Sequence, residues 1–228
     1  MNKSTQAISV VLPNEIGENT TRRVPAVILL DTSLSMEGAK LDQLNAGFEA
    51  FIADLQSDTK ASVSIEPLIV PFADTFDMSQ GWKTADDLVA QKFTTSGGTS
   101  LCQALIGALD ALEDRKRMLR ASGIDYLRPW VFLITDGEPT DPEYLDEAMR
   151  RAKEAEEMHK ASIFCVGVEG ADMNLLKQLS PARSPIELKA SKFKDLFLFV
   201  SASFKTLTRT TAGHQVTVPI ENDWETVS

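Results

Sequence analysis

The chain is expected to fold as a single α/β domain, a doubly wound and mostly parallel sheet sandwiched by helices. Residues 24–30 and 130–134 are apolar throughout, which marks strands buried on both faces. Each run ends on an acid, Asp31 and Asp136, and a helical segment follows each after a loop. No linker, repeat or low-complexity tract interrupts the 228 residues, a length that suits one large domain. Alternation of this kind gives a parallel sheet covered by helices on both faces. Right-handed crossovers then gather the loops that follow the strands along one edge, where such sheets bind their ligands. The domain proper is expected over 22–210. Residues 1–21 form an N-terminal extension with a candidate edge strand at 8–12, and 211–228 a tail with a candidate strand at 216–220.

The elements follow in order. After the strand at 24–30, Leu41, Leu44, Phe48, Phe51, Ile52 and Leu55 recur at helical spacing and predict an amphipathic helix over roughly 38–56. Val63, Ile65, Leu68 and Val70 mark a second strand that stops at Pro71, because proline lacks the ladder donor. Residues 74–82 read as a short edge strand at best, since Asp74 and Asp77 look like solvated turn residues. The loop Thr94-Thr95-Ser96-Gly97-Gly98-Thr99-Ser100 leads into a helix carrying Leu101, Leu105, Ile106, Leu109 and Leu112, with Ser100 as its expected cap. After the strand at 130–134, Asp141-Pro142-Glu143 combines a capping acid, proline at the first helical position and an acid in the first turn. That helix is expected to reach His159. A strand at 162–168, a short helix at 172–179, a short strand at 185–189 and a closing helix at 192–209 complete the domain. The phenylalanine stripe of the closing helix (Phe193, Phe197, Phe199, Phe204) reads as core.

Composition bounds the function. With 43% hydrophobic and 25% charged residues the chain is an ordinary soluble globular protein, long enough to bury its core without disulfides or a structural metal. Lys and Arg number 23 against 33 Asp and Glu, a formal net charge of −10. That excess repels phosphate backbones and anionic lipid, which argues against nucleic-acid and membrane partners. The first residues lack a secretory apolar core, and no apolar run reaches the ~18–20 residues of a membrane span. Cys102 and Cys165 have no metal-ligand spacing and read as reduced core residues of a cytoplasmic protein.

Three loops on the expected edge carry the chemistry. The first offers Asp31, Ser33 and Ser35, the second Thr99, and the third Asp136. All five are hard oxygen donors, with no His or Cys among them. Such a set suits Mg²⁺ or Mn²⁺ and suits Zn²⁺ poorly. Taken singly, each piece has a plainer reading as a helix cap or a turn. Taken together, they place one ligand chemistry at one predicted place.

Asp31-Thr32-Ser33-Leu34-Ser35, Thr99 and Thr135-Asp136-Gly137 resemble the metal-ion-dependent adhesion site of von Willebrand factor type A domains, with their Rossmann-like fold, and the resemblance spans roughly 22–210. Thr135-Asp136-Gly137-Glu138-Pro139-Thr140-Asp141 looks like the bacterial TerY-like branch, associated with tellurium resistance and stress responses. The resemblance implies that Ser33 and Ser35 bind the metal directly, and Thr99 directly or through water. It implies that Asp31 and Asp136 act largely through waters, and that a partner protein's Asp or Glu completes the shell. Partners implied for this branch include phosphatase-like and kinase-like proteins of the same system. Many family members carry glycine between the two serines, where this chain has Leu34.

The expectation is therefore a recognition module and not an enzyme. The chain lacks G-x-S-x-G, G-x-x-x-x-G-K-[ST] and G-x-G-x-x-G. Its histidines, His159 and His214, form no catalytic constellation, and His159 reads as a solvated helix end. Two alternatives are a Mg²⁺-dependent phosphohydrolase and a scaffold that works without metal. The first resembles D-x-D-x-T at this strand end, but Ser33 occupies the place of the second acid.

Overall fold

The structure is a computed structural model that describes residues 19–209, so the candidate strands at 8–12 and 216–220 and His214 lie outside the described residues. Five strands, β1 (Val24–Asp31), β2 (Ile65–Phe72), β3 (Trp130–Thr135), β4 (Ser162–Val168) and β5 (Ile186–Leu188), form one parallel sheet in the order β2-β1-β3-β4-β5. The helices are α1 (Ala39–Gln56), α2 (Thr59–Ser64), α3 (Leu101–Ala121), α4 (Leu145–Glu157), α5 (Met173–Leu179) and α6 (Phe193–Arg209). Alternation along β1 divides the core. Val24, Ala26, Ile28 and Leu30 pack with α1 and α6, whereas Val27 and Leu29 pack with α3, α4 and α5. The chain steps one way from β1 to β2 and the other way from β1's opposite neighbour β3 onward, so strand order reverses between β1 and β3. Their carboxyl ends are where a doubly wound sheet opens a crevice.

The two cores are packed differently. On the α1–α6 face, Phe48, Phe51, Phe197 and Phe204 interlock, with Phe51–Phe197 centroids 5.6 Å apart and Phe48–Phe197 6.0 Å apart. Gly47 lets the helices approach this closely, because a Cβ there would lie 2.8 Å from Phe197 Cδ2 and 2.9 Å from the Phe193 carbonyl carbon. The other face uses small residues, and Ala148, Ala152 and Ala155 of α4 are all buried. At the amino end of the sheet Glu66 is buried between two arginines. Arg115 Nε donates to it at 2.8 Å, and Arg23 Nε stands at 3.5 Å as an ion pair without a hydrogen bond.

Four expectations need correction. Val63 belongs to α2 and not to a strand, because Asp58 caps that helix by accepting from Lys60 N at 3.1 Å and Ala61 N at 2.9 Å. The second strand does not stop at Pro71 but runs to Phe72. Pro71 is tolerated because β2 is an edge strand among the described residues. Its carbonyl accepts from Asp77 N at 3.0 Å on the open side, so its ring nitrogen faces that side too. Residues 74–82 make one isolated antiparallel bridge, Phe72 to Phe76, and no strand. The helix expected from Asp141 to His159 is a 3-10 turn, Pro142–Tyr144, followed by α4, and ends at Glu157. His159, exposed beyond that end, is the one described non-glycine residue with positive φ, 55°.

Candidate metal centre

Backbone hydrogen bonds stitch the three loops into one rim. The loop after β1 meets the 94–100 loop through Ser96 N to Thr32 O at 2.9 Å and Leu34 N to Gly97 O at 3.3 Å. Thr32 also anchors to the end of β2, donating from N at 2.8 Å and Oγ1 at 3.0 Å to Phe72 O. The 94–100 loop meets the loop after β3 through Thr140 N to Thr99 O and Thr99 N to Thr140 Oγ1, both 2.9 Å. Asp74 holds it from the other side by accepting from Gly98 N at 2.6 Å. Leu34 needs no glycine-only backbone: it enters a 3-10 turn, Leu34–Met36, at negative φ and points its side chain into solvent.

All five expected residues converge on this rim. Asp31 Oδ1 accepts from Ser33 N at 2.8 Å, and Asp31 Oδ2 accepts from Thr135 Oγ1. Ser33 Oγ and Ser35 Oγ lie 2.9 Å apart, and Ser35 Oγ donates to Asp136 Oδ1 at 2.6 Å. Gly137 locates Thr99 in the same cluster. An ideal Cβ built there would lie 3.3 Å from Thr99 Oγ1, 3.5 Å from Ser35 Oγ and 3.8 Å from Asp31 Oδ2. Oxygens of Asp31, Ser35 and Thr99 thus gather around Gly137, and the Ser35–Asp136 hydrogen bond ties the third loop to them. The donor set fits a small hard cation. An octahedral Mg²⁺ holds oxygens at about 2.0–2.1 Å, which separates neighbouring ligands by about 2.9 Å, the spacing of the two serine hydroxyls. Ser33, Thr99, Asp31 and Asp136 are buried and Ser35 is exposed, so the cluster opens to solvent on the Ser35 side.

The sequence profile of the von Willebrand factor type A domain matches residues 26–211, most of the chain. The chain belongs to the von Willebrand factor type A domain family. A curated relative, inter-alpha-trypsin inhibitor heavy chain H6 of Homo sapiens, is 26% identical over 172 residues, 68% of this chain but only 12% of that protein. The von Willebrand domain of the type V pili tip protein Mfa5 from Porphyromonas gingivalis aligns over 86% of this chain and 99% of its own, with a TM-score of 0.63 and 12% identity. The manganese-loaded Plasmodium vivax TRAP protein aligns over 77% of this chain and 72% of its own, with a TM-score of 0.54 and 18% identity. At these identities the solved structures speak to the fold of the type A domain.

Electrostatics favour a cation at the rim of this type A domain. Asp31 is fully buried, and burial pushes its carboxyl above the usual range. Hydrogen bonds from Ser33 and Thr135 oppose that rise, and the nearby Asp136 adds to it. Asp136 meets the ammonium of Lys40, which also donates to Glu169 O at 3.0 Å. Among the described residues no three His, Cys, Asp or Glu side chains gather at one place, so a cation here depends on the hydroxyls. Both cysteines are buried, and burial pushes their thiols up to about 12, with Asp141 adding to the rise at Cys102.

Several supporting residues of the type A domain escaped the sequence reading. Ser100 occupies the cap position of α3 but makes no capping bond, and its hydroxyl is buried without a partner. The cap comes from Asp141, which accepts from Cys102 N at 3.2 Å and Gln103 N at 2.8 Å instead of capping its own helix. Asp74 is no idle turn residue, whereas Asp77 is one, accepting from Ser79 N at 2.7 Å. Thr135, Thr140 and Lys40 were missed because their partners lie 41 to 104 residues away. The only local hint was the crowding of polar residues in 135–141.

Proposed function

We propose that this domain is a metal-dependent protein–protein recognition module. Mg²⁺ or Mn²⁺ is held by Asp31, Ser33, Ser35, Thr99 and Asp136, and the partner supplies an Asp or Glu. The observation that carries this reading is the clustering of the Asp31, Ser35 and Thr99 oxygens around Gly137, with Ser33 and Asp136 hydrogen-bonded to Ser35. A bound divalent cation supplies one coordination position for an incoming carboxylate. The chain's own residues fix the other ligands in place beforehand, which reduces the ordering cost of association. The domain is read as a binding protein without catalytic turnover.

The resemblance of the 135–141 segment to the TerY-like branch supports a setting in the bacterial cytoplasm, in a tellurium-resistance or stress-response system. Phosphatase-like or kinase-like proteins of that system are the expected partners. Nucleic acid and membrane are not expected, given the net charge of −10. Among the described residues no helix is long and apolar enough to cross a membrane.

The test is calorimetric titration of the chelator-stripped protein with Mg²⁺ and Mn²⁺, alongside Asp31→Ala. Saturable binding that the variant loses, and partner capture that chelation abolishes, are expected. Capture that survives both chelation and the Ser33→Ala/Ser35→Ala double change would establish a metal-independent scaffold instead. Mg²⁺-dependent phosphoester turnover that Asp31→Ala removes would establish a phosphohydrolase.

A further inference from the structure

We infer that Lys40 is a built-in counter-cation of the oxygen cluster, one that competes with the divalent metal for Asp136 and so sets the metal affinity. The inference rests on the reading that the cluster takes a divalent cation. Lys40 stands in the first turn of α1, the helix that follows Ser33 and Ser35. Its ammonium donates to Asp136 Oδ2 and to the Glu169 carbonyl at 3.0 Å, bridging the ends of β3 and β4. The Asp136 side chain is 0% exposed, whereas that of Lys40 is 25% exposed.

This asymmetry gives the pair its behaviour. Stripping a carboxylate so deeply buried of its cation is strongly unfavourable. The cluster brings two carboxylates together, and the Lys40 ammonium pairs with one of them, Asp136. A divalent ion held by Asp136 would sit close to the ammonium, and the two cations repel through a poorly screened space. The flexible, partly exposed lysine stem lets the ammonium withdraw toward water, a movement open to lysine and closed to Asp136. Metal entry is therefore an exchange of one cation for another. The ammonium keeps the third loop in its binding geometry until the exchange occurs.

Lys40→Met keeps the aliphatic stem and removes the charge, and Lys40→Arg keeps a charge. The full chain and both variants, stripped with chelator, are titrated with Mn²⁺ by calorimetry and melted with and without saturating Mn²⁺. Lys40→Met is expected to bind Mn²⁺ roughly tenfold more tightly than the parent. Its metal-free form should melt below the parent, and saturating Mn²⁺ should close that gap. Lys40→Arg should bind Mn²⁺ close to the parent's affinity, since a packing role of the stem would not separate the two variants in this way. A parent that binds Mn²⁺ alongside a Lys40→Met variant that binds no more tightly overturns the inference and leaves the metal centre standing. Silence of the parent, with binding by Lys40→Met, supports the inference strongly. If neither protein binds Mn²⁺, the metal centre and the inference fall together.

Discussion

Asp31 ends β1 and Asp136 follows the adjacent β3, and the fold spends hydrogen bonds on both: Ser33 and Thr135 on the first, Ser35 and Lys40 on the second. For Asp31 these bonds do not offset burial, and its folded pKa lies above the ordinary carboxylate value. The folded state therefore holds the proton more tightly than the unfolded chain does. Stability of the metal-free protein falls as pH rises from the unfolded carboxylate value through the folded one. Asp31→Asn removes that loss and can still accept from Ser33 N. The variant is expected to lose divalent binding while gaining metal-free stability at pH 7. Thermal melts from pH 4 to 7 should show its advantage growing with pH, and a variant that melts below its parent at pH 7 would contradict the account. At this scale the five oxygen donors were legible, since each is a short polar residue just after an apolar run or beside a Gly-Gly turn. Lys40 was not, because a lysine on the first turn of a helix has nothing local to mark its partner.

The elements are set by the rules that made them readable, and the exceptions are cases of distant competition. β1, β3 and β4 are fully or nearly fully buried, so their apolar runs had one reading. β2 hid its true start behind α2, whose six residues are held by the Asp58 cap and not by any apolar period. Asp141 shows the same competition at a helix end. Its sequence context assigns it to the following helix, but its carboxylate binds two amide groups at the start of α3, a longer helix with a stronger aligned dipole. Asp141→Ala should cost about 1 kcal/mol in a urea melt, the usual loss for an N-cap. Because Thr99 stands two residues before Leu101 and is tied to Thr140, the same change should weaken Mn²⁺ binding several-fold. Asp141→Asn keeps an oxygen acceptor and should recover part of both losses. Loss of stability with unchanged affinity would separate the cap from the metal centre.

The whole molecule divides its polar burdens between the two ends of the sheet. The carboxyl end carries the oxygen cluster, and the amino end carries Glu66 between Arg23 and Arg115. Glu66 stands opposite Pro25, six residues before Asp31 along β1, or roughly 20 Å down the sheet. Removing its charge leaves two buried guanidinium groups without their shared anion. Glu66→Gln is expected to cost about 3–5 kcal/mol in a urea melt. The folded fraction should bind Mn²⁺ as the parent does, given that separation. A reduced affinity per folded molecule would mean that the ends communicate through β1. The overall layering was legible because alternation of apolar runs and helical periods admits few topologies. The ionic end was not, since Arg23, Glu66 and Arg115 come from three elements that only the folded sheet brings together.

Gly47 has a mechanical meaning beyond close packing. With Phe193 and Phe197 seated against its backbone, α1 and α6 lie at their closest here. One end of α1 begins just past Ser35, where the oxygen cluster opens. The far end of α6 is tethered at Arg209, whose guanidinium pairs with Asp58 at the start of α2. A side chain at 47 would force α1 and α6 apart, so the spacing of the helix that leaves the oxygen cluster is set by a residue with no side chain at all.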